Sequence, residues 1–161
     1  MQSLLPTAAK IAEHLTSRNE TIAVAESSAG GLISAALLAV PGASAYYRGG
    51  SVIYTLYARE GLLGITAADM DGMRASTEPY ALLLANRIRE RLGTTWGLSE
   101  TGATGPAGNR YGDAAGHACI GIIGPARRSL TLETGSADRQ ENMRAFAQKA
   151  LEALLETVER A

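Results

Sequence analysis

The stretch Thr21-Ile-Ala-Val-Ala-Glu-Ser-Ser-Ala-Gly-Gly31 passes from an apolar run directly into a turn of serine and glycine residues. A short apolar run that ends in small polar residues is typical of a buried strand, and the apolar residues after Gly31 predict a helix to about Ala39. A second stretch, Trp96-Gly-Leu-Ser-Glu-Thr-Gly-Ala-Thr-Gly-Pro106, has the same order of apolar residues, hydroxyl groups and glycines. Strands that end in such turns are typical of an α/β fold.

Both turns offer chemical groups that bind a small anionic molecule. Where a strand opens into a helix, the first backbone N–H groups are unpaired and lie at the positive end of the helix dipole, which suits a phosphate or carboxylate. Gly30 and Gly31 allow a ligand to approach the backbone closely. Further donors and acceptors come from the hydroxyls of Ser27, Ser28, Thr101 and Thr104. We therefore predict a small-molecule site formed by the two turns.

The rest of the chain alternates between helical and strand patterns. Apolar spacing and the positions of proline and glycine predict helices near residues 4–18, 30–39, 58–63, 77–92 and 140–160, and strands near 22–25, 50–57, 96–100, 117–123 and 129–133. Ser136 or Asp138 is expected to cap the last helix. Helices alternate with strands early and a hairpin-like pair comes late. The pattern therefore predicts a single domain, residues 1–161, that is a three-layer α/β/α sandwich with a mixed, mostly parallel sheet.

Composition narrows the functional classes. The chain has 161 residues, of which 46% are hydrophobic and 19% charged, as in globular proteins. Its formal net charge of −1 gives no electrostatic footprint for nucleic acid or for an anionic membrane. The one cysteine, Cys119, can form neither an internal disulfide nor a multi-cysteine metal motif. We expect a cytoplasmic protein with a small-molecule substrate, no bound metal, and no nucleic-acid or membrane partner.

Several short motifs follow one another along the chain: Ala25-Glu26-Ser27 with Gly30-Gly31, Val40-Pro-Gly-Ala-Ser-Ala-Tyr-Tyr-Arg-Gly-Gly50, Tyr54, Leu62-Leu-Gly64, Thr101-Gly-Ala-Thr-Gly-Pro106 and Gly135-Ser-Ala-Asp-Arg139. In this order, from about residue 5 to the C-terminus, they resemble the C-terminal domain of the competence/damage-inducible protein CinA, a family that includes stand-alone nicotinamide mononucleotide deamidases. The resemblance implies a three-layer α/β/α fold, a homodimer or higher homo-oligomer, and no cofactor. It also implies hydrolysis of the carboxamide of nicotinamide mononucleotide to the acid and ammonia without a metal.

The resemblance also implies roles for individual residues. Ser44 matches the proposed nucleophilic serine of the family, and Tyr54 matches an active-site tyrosine. Ser27 and Thr101 match hydroxyl residues that line the substrate pocket, and Arg139 matches an arginine suited to bind an anion through two parallel hydrogen bonds. The turn glycines are expected to line the pocket as well: Gly30, Gly31, Gly102 and Gly105. Amide hydrolysis needs a nucleophile, a base and oxyanion donors, so Ser27, Ser44 and Thr101 are expected to converge on one cavity.

One position departs from the family pattern. Where the family commonly reads Tyr-Ser-Asn-Glu-Ala-Lys, this chain reads Tyr54-Thr-Leu-Tyr-Ala-Arg59. A buried lysine can lose its proton and act as a base, whereas arginine, with a pKa above ~12, stays charged. Arg59 would then assist catalysis by charge and orientation, with His117 as the nearest candidate for a replacement base.

Three functions stay open on this evidence. The first is a metal-independent amidohydrolase that resembles nicotinamide mononucleotide deamidase, with Ser44 as nucleophile. The second is a catalytically silent paralogue that binds a nucleotide-like ligand as a sensor or partner module, because the family lysine is Arg59. The third is hydrolysis of a different small amide or ester, in a pocket altered by Ser28, Ala29, Leu56 and Tyr57.

Overall fold

A five-stranded sheet and six α-helices make up the structure, a computed structural model that describes residues 1–161. The strands are β1 (Ile22–Glu26), β2 (Tyr47–Val52), β3 (Trp96–Ala103), β4 (His117–Ile123) and β5 (Arg127–Glu133). The helices are α1 (Leu5–Ser17), α2 (Leu32–Leu38), α3 (Leu56–Leu63), α4 (Ala67–Met70), α5 (Glu78–Leu92) and α6 (Arg139–Arg160). Short 3₁₀ turns, Gln2–Leu4 and Ala43–Ala45, precede α1 and β2.

The sheet is mixed, with the strand order β2-β1-β3-β4-β5. β1 pairs in parallel with both β2 and β3, whereas β4 pairs antiparallel with β3 and β5. Four strands therefore run in one direction, and β4 alone runs in the other. Helical connections return the chain to the same end of the sheet before β2 and β3, while the short link between β4 and β5 permits only a hairpin. The predicted mixed, mostly parallel sheet is confirmed.

Helices cover both faces of the sheet. On one face, α1, α2 and α6 pack together over Trp96 and Leu98 of β3 in the larger apolar core. On the other face, α5 lies across β1, β3 and β4, and its residue Leu84 joins Ala23 and Ala25 of β1 in the smaller core. Alternate strand residues therefore serve opposite layers. The predicted three-layer arrangement is confirmed.

Two glycines let α5 approach the sheet closely. A Cβ atom at Gly97 of β3 would overlap the carbonyl oxygen of Ala85, and one at Gly121 of β4 would lie 2.5 Å from the carbonyl carbon of Ala81. Between them, the hydroxyl of Ser99 donates to the carbonyl oxygen of Ala81 over 2.6 Å. This packing fixes the N-terminal half of α5 against the sheet.

β2 begins and ends earlier than predicted. It occupies Tyr47–Val52 rather than residues 50–57. After Val52, the N–H of Ile53 still donates to the carbonyl oxygen of Glu26 (2.7 Å), but Thr55 already caps α3 and turns the chain away from the sheet. Two glycines inside the strand interrupt the alternation of apolar and polar residues. The sequence pattern therefore predicts the strand in the more apolar residues that follow.

β3 and α6 have clear local reasons for their boundaries. β3 continues past the predicted end at Glu100 because its antiparallel pairing with β4 extends to Ala103 opposite His117. Of the two expected caps of α6, Asp138 is the N-cap, and its side chain accepts the N–H of Glu141 (2.9 Å). No helix is both long and apolar enough to span a membrane.

Candidate functional site

Two adjoining cavities lie at the C-terminal ends of β1, β2 and β3, with volumes of about 310 Å³ and about 290 Å³. Tyr54, Gly102 and Asn109 border both of them. The first cavity is also lined by Ser27, Ile53, Thr55, Leu56, Ala75, Ser76, Tyr80, Thr101, Arg110 and Tyr111. The second cavity is also lined by Ser28, Ala103, Thr104, Gly105, Pro106, Ala107, Gly108 and Arg139.

Ser27 and Thr101 reach the first cavity from adjacent parallel strands. Ser27 follows the last residue of β1, and Thr101 lies in β3 on the same face as Ser99, towards α5. Because parallel strands end at one edge of a sheet, the two hydroxyl residues come together there. The structure therefore places Ser27, Thr101, Gly102 and Tyr54 around one cavity.

Arg139, the first residue of α6, connects the second turn to Tyr54. Its Nη1 donates to the carbonyl oxygen of Gly105 (2.7 Å), and its Nη2 donates to the hydroxyl of Tyr54 (3.1 Å). One turn later, the fully buried Asn142 donates its side-chain amide to the carbonyl oxygen of Thr104 (2.9 Å). The start of α6 thus holds the second turn in place, and the guanidinium of Arg139 borders the second cavity.

The helix start in the first turn is already occupied by a carboxylate of the protein. Glu26 is fully buried, and its side-chain oxygens accept the N–H groups of Gly31 (3.0 Å), Ile33 (3.0 Å) and Ser34 (2.8 Å). Gly30 and Gly31 border neither cavity. The anion cradle predicted at these glycines is therefore not free, because Glu26 takes the place that a phosphate would have.

A second buried carboxylate lies behind Ser27. Glu100 has no solvent exposure, its Oε2 accepts the N–H groups of Ser27 (3.1 Å) and Ala29 (2.8 Å), and its Oε1 has no hydrogen-bond partner. Burial, most of all, raises the pKa of Glu100 to about 7. The charge of Glu26 raises it too, while the two N–H groups and the Ser28 hydroxyl lower it.

Sequence reasoning missed both carboxylates, although the chain carries a signal for them. In each of the two turns, an acidic residue ends the apolar run and stands directly before a hydroxyl residue, as Glu26-Ser27 and Glu100-Thr101. A charged residue inside an otherwise buried strand needs a specific partner. Here the partners are backbone N–H groups of the first turn and of the start of α2.

Ser44 does not join this site within one chain. It is exposed in the 3₁₀ turn before β2 and borders neither cavity. Because β2 runs parallel to β1, its start lies at the opposite end of the sheet from the cavities. A strand of this length spans roughly 20 Å. The expected convergence of Ser27, Ser44 and Thr101 is not found, since the loop that carries Ser44 lies at the other edge of the sheet.

Arg59 lies behind the first cavity rather than in its wall. It is half-buried on α3, and its Nε is buried without a hydrogen-bond partner. Its guanidinium faces Tyr80, which lines the cavity. Burial raises the pKa of Tyr80, and the charge and hydrogen bond of Arg59 partly offset that rise. Arg59 therefore reaches the cavity through the phenol of Tyr80.

The segment before α5 and the loop between β3 and β4 form a further part of the wall. Arg74 donates to both carboxylate oxygens of Asp113 (2.6 and 3.1 Å) and so joins the two segments. Ser76 lines the first cavity with a left-handed backbone (φ 59°), and Arg110 and Tyr111 line it from the loop. The loop between β3 and β4 is therefore a wall of the first cavity.

His117 is engaged on both ring nitrogens. Nδ1 lies against a carboxylate oxygen of Glu133, and Nε2 lies 2.9 Å from the backbone carbonyl oxygen of Ser76 and 3.9 Å from Asp113. Both hydrogen-bonded groups are acceptors, so this arrangement favours a ring that donates from both nitrogens. Burial lowers the pKa of His117, but the hydrogen bonds to Glu133 and Ser76 and the charges of Asp113 and Glu133 raise it more. His117 is therefore not a free base.

Metal-ligating side chains do not cluster in this structure. No group of three or more His, Cys, Asp or Glu residues is arranged to hold a metal ion. Cys119 is buried near His117, and burial raises the pKa of its thiol, which keeps it protonated.

Solved structures with the same architecture define the class of this fold. A competence-damaged protein (CinA) superfamily protein of Klebsiella pneumoniae superimposes with a TM-score of 0.91 at 22% identity, covering 98% of this chain and 99% of that one. The competence/damage inducible protein CihA of Agrobacterium tumefaciens superimposes with a TM-score of 0.86 at 27% identity, covering 96% and 94% of the two chains. Both are α/β domains built around the same sheet.

The sequence comparisons identify the family. The CinA C-terminal domain model matches residues 5–158, and the chain therefore belongs to the CinA C-terminal domain family. A CinA-like protein of Nostoc sp. is 39% identical over 118 residues, which are 73% of this chain and 28% of that protein. A CinA-like protein of Salinibacter ruber is 38% identical over 144 residues, 89% of this chain and 35% of that protein. The chain spans about a third of the length of these curated relatives.

Proposed function

We propose that this domain binds a pyridine nucleotide amide in the two cavities and hydrolyses its carboxamide. The observation that carries the proposal is the first cavity, where the hydroxyl residues Ser27 and Thr101 and the aromatic residues Tyr54 and Tyr80 border one space. A flat, cationic pyridinium ring is stabilised by tyrosine faces, and a carboxamide needs nearby donors and acceptors. The activity implied by the CinA resemblance supports the same substrate class.

The phosphate of such a ligand would lie in the second cavity beside Arg139. A guanidinium can hold a phosphate through two parallel hydrogen bonds, and the two that Arg139 now makes go to neutral oxygens of Gly105 and Tyr54. Exchanging neutral acceptors for an anion strengthens both bonds. With Glu26 occupying the start of α2, Arg139 takes over the role that the glycine turn was expected to have.

Within one chain, Ser27 takes the role of nucleophile. Its oxygen would attack the carboxamide carbon, and the Thr101 hydroxyl would donate to the resulting oxyanion. The Ser27 proton passes to the departing nitrogen, which leaves as ammonia, and water then hydrolyses the ester formed on Ser27. Ser44 could act in such a cavity only if a second copy of the chain presented it, and a homodimer or higher homo-oligomer is part of the proposal for that reason.

Ammonia release from nicotinamide mononucleotide tests this proposal. We expect activity in the wild type, a loss of about 10²-fold in Ser27→Ala, and no change in Ser17→Ala, a surface serine at the end of α1. Full activity in Ser27→Ala combined with none in Ser44→Ala would move the nucleophile to Ser44 and the site to an interface between copies. Neither binding nor turnover of the nucleotide by the wild type would reject the function.

A second candidate, a silent nucleotide-binding module, is favoured by one observation. Arg59 stands where the family has a lysine, cannot act as a base, and has a buried Nε without a partner. Such a protein would bind nicotinamide mononucleotide in a calorimeter without releasing ammonia. If Arg59→Lys then released ammonia, the silent module would be the correct description of the natural chain.

A further inference from the structure

A small buried network joins Glu100 to the first turn beside both cavities. The Oε2 of Glu100 accepts the N–H groups of Ser27 (3.1 Å) and Ala29 (2.8 Å), the residues on either side of Ser28. The Oε1 of Glu100 has no donor. The nearby hydroxyl of Ser28 instead donates to the carbonyl oxygen of Gly102 over 2.7 Å.

The surroundings of Glu100 disfavour its charge. The charged group that acts on it most strongly, Glu26, is also an acid. The residue opposite it on β4 is Ile120, and the buried face of α6 carries no ionisable side chain. Burial of a carboxylate with one oxygen lacking a donor disfavours the charged form, and the pKa of Glu100 is raised to about 7.

We propose that Glu100 is a positioning residue whose ionised form draws the Ser28 hydroxyl proton away from Gly102 and so leaves the Gly102 carbonyl free to accept a hydrogen bond from a ligand. When Glu100 is neutral, the hydroxyl stays on Gly102 and occupies the lone pair of that oxygen that a ligand would otherwise use. When Glu100 is ionised, rotation of the same hydroxyl supplies the donor that Oε1 lacks. Gly102 borders both cavities, and the inference assigns the freed acceptor to their shared wall.

The inference rests on the proposed function and makes it more specific. A carboxamide has two N–H protons to donate, whereas the carboxylate product has none. A free carbonyl acceptor therefore favours the amide over the acid. The ionised form of Glu100 distinguishes substrate from product, and the neutral form does not.

The proton-linked rearrangement can be tested without any ligand. We expect the amide resonances of Ser27 and Ala29 to shift together with a midpoint near pH 7 in the wild type and in Glu156→Gln, a control carboxylate on α6 that pairs with Arg128. The shift should vanish in Glu100→Gln, and in Ser28→Ala its midpoint should rise by about one pH unit because a donor to the charged form is lost. Amides that do not titrate between pH 5.5 and 8.5, or an unchanged midpoint in Ser28→Ala, would overturn the inference.

Calorimetry with two nucleotides tests the effect on specificity. Nicotinamide mononucleotide should bind the wild type about tenfold more tightly at pH 8 than at pH 6, while nicotinic acid mononucleotide should show no such gain. Both carry the same phosphate, so its own ionisation cancels in the comparison. The gain should disappear in Glu100→Gln and in Ser28→Ala, whose Gly102 carbonyl is always free.

The outcomes separate this inference from the proposed function. If the amides titrate with a Ser28-dependent midpoint but neither nucleotide binds, the proposed function fails and the rearrangement stands. If nicotinamide mononucleotide binds equally well at both pH values, the inference fails and the proposed function stands.

Discussion

Glu26 and Glu100 are both fully buried, yet their carboxylates are supported unequally. Glu26 has three N–H donors spread over both oxygens, whereas Glu100 has two on a single oxygen. The pKa of Glu100 rises from 4.5 to about 7 on folding. The folded state thus binds this proton more tightly than the unfolded chain, and stability falls as pH rises from about 4.5 to about 7.

Glu100→Gln removes that pH dependence because glutamine does not ionise. Relative to the wild type, we expect the variant to gain up to ~3 kcal/mol of unfolding free energy between pH 5 and pH 8. Urea unfolding at both pH values measures the difference. An equal difference between variant and wild type at pH 5 and pH 8 would show that Glu100 does not titrate in this range.

His117 has a pH dependence of the same sign, at higher pH. Its pKa is raised above the ordinary 6.5, so its stabilising contribution is full below pH 6.5 and is lost as pH rises through the folded value. We expect His117→Asn to lose about 2 kcal/mol at pH 6, since a charged hydrogen bond is removed, and less at pH 9. Urea unfolding of this variant is compared with His14→Asn, a partly exposed histidine 3.6 Å from Glu159. A loss that is the same at both pH values would contradict a charged His117.

The element most dependent on a single side chain is α2, whose start is held by Glu26. In Glu26→Gln, the side-chain NH₂ group would face an N–H donor of the helix start, and we expect a loss of about 3 kcal/mol. Hydrogen exchange at the amides of Ile33 and Ser34 should accelerate with it. The exposed Glu90→Gln on α5 is the control, and matching losses in the two variants would refute the special role of Glu26.

Elements were predictable where their causes are local. The start of α5 at Thr77 and the cap of α6 at Asp138 each depend on residues within one turn, and the structure shows both. Glu100 could not be assigned in the same way, because its donors lie 73 and 71 residues earlier in the chain. The family motif predicts Ser44 and Ser27 in one site, but a motif does not reveal at which end of the sheet a residue lies. Only the register of β2 against β1 shows that.

The spacing of the layers depends on residues without side chains. Gly97→Ala would push α5 away from the sheet, and we expect it to cost about 3 kcal/mol and to weaken nucleotide binding by displacing Tyr80. Gly61→Ala on α3 meets no atom within 4 Å and should be neutral or stabilise by up to ~1 kcal/mol. Urea unfolding of the pair compares the same chemical change at two sites. A similar loss of unfolding free energy in the two variants would show that Gly97 is not needed for the close approach of α5 to the sheet.

Tyr54 borders both cavities and accepts a hydrogen bond from Arg139, which borders the second. The two residues are 85 positions apart in the chain, so this hydrogen bond also connects the last helix to the segment that follows β2. A phosphate bound to the guanidinium would break the hydrogen bond to Tyr54 and join the two cavities into one. In the ligand-bound domain, the phosphate would then take the place of the Tyr54 hydroxyl at Arg139.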